Sequence, residues 1–77
     1  MKRKDLQLGD LFTLDDVTYF VTYIGKYGLT AYCLSTCTDV PMSFATDTYS
    51  NANPILIDRG NFSSLTAVQN AYPEFFI

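Results

Sequence analysis

Leu6 to Ile24, LQLGDLFTLDDVTYFVTYI, is the stretch that most narrows what this chain can become, and it reads as a β-hairpin. Two runs rich in β-branched and aromatic residues, a composition suited to a pleated, half-buried surface, are interrupted by Asp15-Asp16. A two-residue turn there pairs Leu14 with Val17, Phe12 with Tyr19 and Asp10 with Val21, and brings Leu8 towards Tyr23. Thr13 then meets Thr18, and Leu11 meets Phe20, on the opposite face. A four-residue loop keeps these pairs and an odd-numbered loop breaks them, so parity assigns the faces. Leu8, Phe12, Leu14, Val17, Tyr19, Val21 and Tyr23 make one continuous apolar face, expected in the core. The other face is threonine around the Leu11/Phe20 couple, which needs a cover from a later segment or from another molecule. The turn type stays open, because Asp-Asp is a poorer tight turn than Asp-Gly.

A chain of 77 residues is expected to form one domain over 1–77, with 1–5 as a charged, frayed tip. An apolar share of 48%, with six Tyr and six Phe, is enough for a core without metal or disulfide staples and is too high for a disordered chain. Charge is unevenly placed. Lys2, Arg3 and Lys4 open the chain, whereas all eight acidic residues stand from Asp5 onward, against Lys26 and Arg59 alone. An acidic body argues against a phosphate-binding surface. The basic start lacks the apolar run of a signal peptide, and no stretch approaches the ~20 apolar residues that span a bilayer, so the expected compartment is the cytosol. Cys33 and Cys37 are expected to be free thiols there.

Gly9-Asp10 reads as the turn or bulge that starts the first full strand, with the Asp10 side chain bonding nearby amides. Gly25-Lys26-Tyr27-Gly28 is a tight connection with an aromatic at its tip. Leu29–Leu34 is a third strand, with Leu29, Ala31 and Cys33 on one face and Thr30, Tyr32 and Leu34 on the other. Ser35–Asp39 is a turn. Val40–Phe44 is a fourth strand, placed at an edge or starting at Pro41, which cannot donate to a ladder. Ala45–Pro54 is a polar loop whose one large side chain is Tyr49. Ile55–Ile57 is a short fifth strand, and Asp58 with Arg59 is expected to make a surface pair of little energetic weight. Ser63 or Ser64 can cap a short helix bearing Leu65, Val68, Ala71 and Tyr72, halted by Pro73; an extended strand through Phe62–Val68 is the alternative. The terminal Phe75-Phe76-Ile77 is expected to add a last strand, or else to reach into a partner subunit.

The chemical inventory is thin. There is no His, hence no ordinary general base near neutral pH and no Ser-His or Cys-His pair. Phosphate-loop and dinucleotide fingerprints are absent. Asp15 and Asp16 are adjacent on a turn and point apart, so they make a poor acid/base pair. No catalytic residue, no metal ligand set and no cofactor is assigned.

The pattern Leu8-Gly9-Asp10-x-Phe12, then Asp16-x-x-Tyr19-x-Val21, resembles the opening hairpin of small SH3-like β-barrel proteins encoded by bacteriophages and their bacterial hosts. It covers about the first third of the chain and departs at the turn, where Asp15-Asp16 replaces the expected glycine or asparagine. The resemblance implies a protein that binds and modulates a host protein.

The expected fold is therefore mostly β with a short C-terminal helix: a small curled antiparallel sheet, or SH3-like barrel, of five to six strands. The expected function is a non-enzymatic protein-binding module, with Leu11, Phe20, Tyr27, Tyr32 and Tyr49 as partner-binding residues. Tyrosine offers apolar area with a polar tip and is enriched at interfaces. Two other functions fit: a barrel stacking single-stranded nucleic acid on its tyrosines, and a structural homo-oligomer such as a homodimer.

Overall fold

The computed structural model describes residues 2–44, 53–59 and 62–76. Five strands follow in chain order: β1 (Leu11–Leu14), β2 (Val17–Ile24), β3 (Gly28–Cys33), β4 (Thr38–Ser43) and β5 (Ile55–Asp58). One helix, α1 (Leu65–Ala71), lies between 3-10 turns at Arg3–Asp5 and Pro73–Phe76 at the chain's two ends. The strands form one antiparallel sheet in the order β4-β3-β2-β1-β5. It is an open sheet, not a closed barrel, with β4 and β5 as its edges.

The first hairpin has the register that parity requires: Leu11 with Phe20, Phe12 with Tyr19, Thr13 with Thr18 and Leu14 with Val17. Asp15 and Asp16 have φ of 51° and 65°, the left-handed pair of a type I′ turn, whose twist matches that of the flanking strands. The short polar side chain of Asp tolerates this conformation better than most.

Parity fails at the far end of the hairpin. Val21 pairs with Ala31 but Tyr23 pairs with Thr30, so Thr22 is an extra residue and the register shifts. Beyond that bulge the faces no longer alternate as in a plain ladder, and Tyr23 is 59% exposed rather than in the core. Leu8 is also exposed, because Gly9, at φ 83°, turns the chain away before β1 begins.

Two hydrophobic clusters occupy the two faces of the sheet. One gathers Leu6, Phe12, Leu14, Val21, Leu29, Ala31 and Met42, with Tyr19 stacked on Phe12 at 5.4 Å between ring centroids. The other gathers Leu11, Phe20, Leu34 and Val68, flanked by Tyr32, Tyr72, Phe75 and Phe76. Ser64 caps α1 by accepting from the Ala67 amide at 3.2 Å, which settles the helix over the strand alternative. A helix this short is held by docking. Val68 is fully buried, a burial that contributes about 1.5–3 kcal/mol.

Phe75 and Phe76 do not form a sixth strand. Pro73 ends α1, and the Phe75 amide donates to the Tyr72 carbonyl at 3.1 Å, winding the segment into a 3-10 turn. That turn lets adjacent phenylalanines both pack against the second cluster, whereas a strand would send them to opposite faces. Tyr72 stacks on Phe75 at 5.4 Å.

Pro41 sits in edge strand β4 without cost to the ladder. The Phe44 amide donates to the Tyr27 carbonyl at 2.9 Å, and alternation from that bond places Pro41, opposite Thr30, where an amide would face outward.

Candidate functional site

β2 and β3 leave the sheet as a hairpin tip closed by a bond from the Gly25 amide to the Gly28 carbonyl at 2.8 Å. Gly28 suits the close approach of β4 there: a Cβ would collide with the Met42 carbonyl oxygen. The tip presents Tyr27, 76% exposed, with the Lys26 ammonium 5.4 Å from its ring centroid. Tyr23 and Ile24 are exposed beside it.

From this tip a groove of about 920 Å³ runs down the face of the sheet that carries the Phe12 cluster. Its lining includes Tyr19, Tyr23 and Tyr27, with Leu14 and Val17 beside the type I′ turn and Val40 of β4. Tyr19 has its pKa raised, mainly by burial and then by the nearby Cys33 and the Asp15 charge, so its hydroxyl stays protonated as a donor. Cys33 also lines the groove. Burial pushes its thiol up, but hydrogen bonds from the hydroxyls and amides of Ser35 and Thr36 outweigh it, and its pKa lies below the ordinary value. The Cys33 Sγ to Ser35 Oγ distance is 3.3 Å.

A second groove, of about 570 Å³, lies on the opposite side of the sheet beside the start of α1, lined by Leu8, Phe20, Tyr32, Phe62 and Leu65 among others. Tyr32 has its pKa raised, first by a hydrogen bond with Cys37 and then by burial.

The five expected contact residues are thus separated. Tyr27 is on the surface and lines the first groove. Tyr32 is half-buried at the second. Leu11 and Phe20 are both buried, with the C-terminal segment of the chain itself packed over them, and Phe20 borders the second groove. Tyr49 lies outside the described residues. Tyr23 belongs to the groove although parity assigned it to the core, and Tyr19, packed on the core as parity assigned it, borders the groove as well. Their chemistry signalled it, since a phenol on an apolar face needs a wet exit for its hydroxyl.

Cys33 and Cys37 are free thiols, one buried and one exposed. Asp58 and Arg59 do not pair with each other. Arg59 reaches Asp10, and Asp58 accepts from the Tyr72 hydroxyl at 2.6 Å. Among the described residues no group of three or more His, Cys, Asp or Glu could hold a metal ion, and no helix is long and apolar enough to cross a membrane.

No protein-family model matches the chain, and no curated protein and no solved structure matches it. The arrangement itself offers apolar area, phenol hydroxyls and a protruding aromatic tip: resources for binding.

Proposed function

We propose that this is a non-enzymatic protein-binding module whose contact surface is the groove with its Tyr23–Tyr27 tip. The observation that carries the reading is a concave apolar surface lined by three tyrosines from one hairpin. Exposed aromatic and aliphatic side chains clustered beside a groove are what interfaces use, and tyrosine supplies area at low entropic cost. The chain has no histidine to serve as a base near neutral pH, and its thiol of lowered pKa, Cys33, is buried. The partner class is another protein. A phage-encoded modulator acting in the host cytoplasm is the setting that the hairpin resemblance implies, and it belongs to this proposal.

The test is affinity capture from a bacterial lysate with the wild-type chain and with Tyr23→Ala/Tyr27→Ala, each with and without nuclease. One stoichiometric protein that survives nuclease and is lost in the variant, with the variant's melting curve intact, supports the reading. Capture that vanishes with nuclease overturns it in favour of nucleic-acid binding.

A further inference from the structure

The groove's two ends carry opposite charge. At one end the β1–β2 turn places exposed Asp15 and Asp16 between Leu14 and Val17 of the lining. At the other end stands Lys26, and the 3-10 turn at Arg3–Asp5 brings exposed Lys2 and Lys4 close to the end of β4, where Arg3 Nη1 donates to the Ser43 carbonyl at 3.4 Å. β2, eight residues long, separates the two ends by about 25 Å.

We propose that the occupant of the groove in the free protein is a second copy of this chain, docked antiparallel about a two-fold axis, the Lys26-Tyr27 tip of each over the Asp15-Asp16 turn of the other. The inference rests on the reading of the groove as a contact surface and names what fills it. A surface positive at one end and negative at the other is self-complementary only when reversed. Parallel pairing sets Asp15 and Asp16 against their own copies, and a two-fold axis closes the assembly at two chains. The protruding tips supply the convex partners that two facing grooves need, and they cover Tyr23 and Tyr27, among the most exposed large apolar side chains. A third protein would compete for the same surface, so its capture dissociates the pair.

Sedimentation velocity of the full chain over a rising concentration series, at low and high salt, tests this. The expected mass doubles with concentration, and the association weakens with salt. Asp15→Asn/Asp16→Asn, which the left-handed turn tolerates, and Lys26→Glu each weaken association about tenfold or more. Their combination associates more tightly than Lys26→Glu alone, because the new glutamate no longer faces carboxylates. Circular dichroism establishes that each variant is folded. A monomer at every concentration, additive effects, or a dimer indifferent to these charges overturns the pairing. If the monomeric chain still captures another protein through Tyr23 and Tyr27, the contact-surface reading stands without it.

Discussion

Arg59 Nη2 donates to Asp10 Oδ2 at 3.1 Å and to the Asp5 carbonyl at 3.0 Å, so one guanidinium ties the end of β5 to the start of β1 and to the N-terminal turn. Asp10 is fully buried, and the same Oδ2 accepts the Gln7 amide at 2.8 Å. Removing the arginine leaves a buried carboxylate short of its only cationic partner among the described residues. Arg59→Met, which keeps the apolar stem, is expected to cost about 1–3 kcal/mol, discounted because the arginine side chain is partly exposed. Asp10→Ala should cost at least as much, since it also strands the Gln7 amide. Urea unfolding midpoints at constant slope measure both; an unchanged midpoint for Arg59→Met refutes the clamp.

Gly28→Ala sets a methyl against the Met42 carbonyl, backbone that cannot yield without moving β4. Overpacking of this kind costs about 1–3 kcal/mol. Gly25→Ala is the control. Its nearest neighbour is the ring of exposed Tyr23 at 3.3 Å, which can swing aside. Thermal melts should rank Gly28→Ala clearly below Gly25→Ala.

Asp15-Asp16 occupies a turn that favours Asn-Gly. Replacing the pair by Asn-Gly is expected to stabilise the fold by about 0.5–1 kcal/mol through easier left-handed backbone. The same change removes both carboxylates from the acidic end of the groove, so it should raise the melting temperature while weakening self-association. A change that moves both in the same direction contradicts the division between turn geometry and contact charge.

Tyr72 has its pKa raised above 10.0, first by its hydrogen bond to Asp58 and then by burial. The folded chain holds this proton at a pH where the unfolded chain has lost it. Its contribution to stability is therefore complete below the unfolded value and falls as pH climbs from about 10 towards the folded value. Tyr19 and Tyr32, raised as well, add to the same limb. Tyr72→Phe should flatten the alkaline decline in part while lowering stability at neutral pH. Unfolding curves from pH 7 to 11 give both readings.

The thiols should react in order of access, not acidity. Cys37 is exposed and Cys33 is 3% exposed, although the Cys33 pKa is the lowered one. A disulfide reagent is expected to modify one thiol rapidly in the native chain and the second only on unfolding. Two rapid equivalents would mean that the groove admits the reagent to Cys33.

The hairpin was legible because its period is two and the turn pins the register, so Leu11 could be set opposite Phe20 from residue order alone. The capped helix was legible from Ser64 and the spacing of Leu65 and Val68. Tyr23 was misplaced because the Thr22 bulge has no residue signature: nothing in VTYI marks the extra residue. Arg59 was misassigned because sequence neighbours at a strand end diverge, and its partner Asp10 is forty-nine positions away. Phe75 and Phe76 look like a strand in composition. Only the surface they pack on, assembled from β1, β2 and α1, selects the 3-10 turn.

The order of the sheet has a consequence for how the chain is made. β1 to β4 are neighbours in sequence and in space, so this meander can pair from local contacts as soon as it is synthesised. Leu11 and Phe20 then sit bare on its outer face until residues 65–76 follow and close over them. A chain cut short before Val68 would keep this sheet with an adhesive back, which is where a chaperone would find its grip.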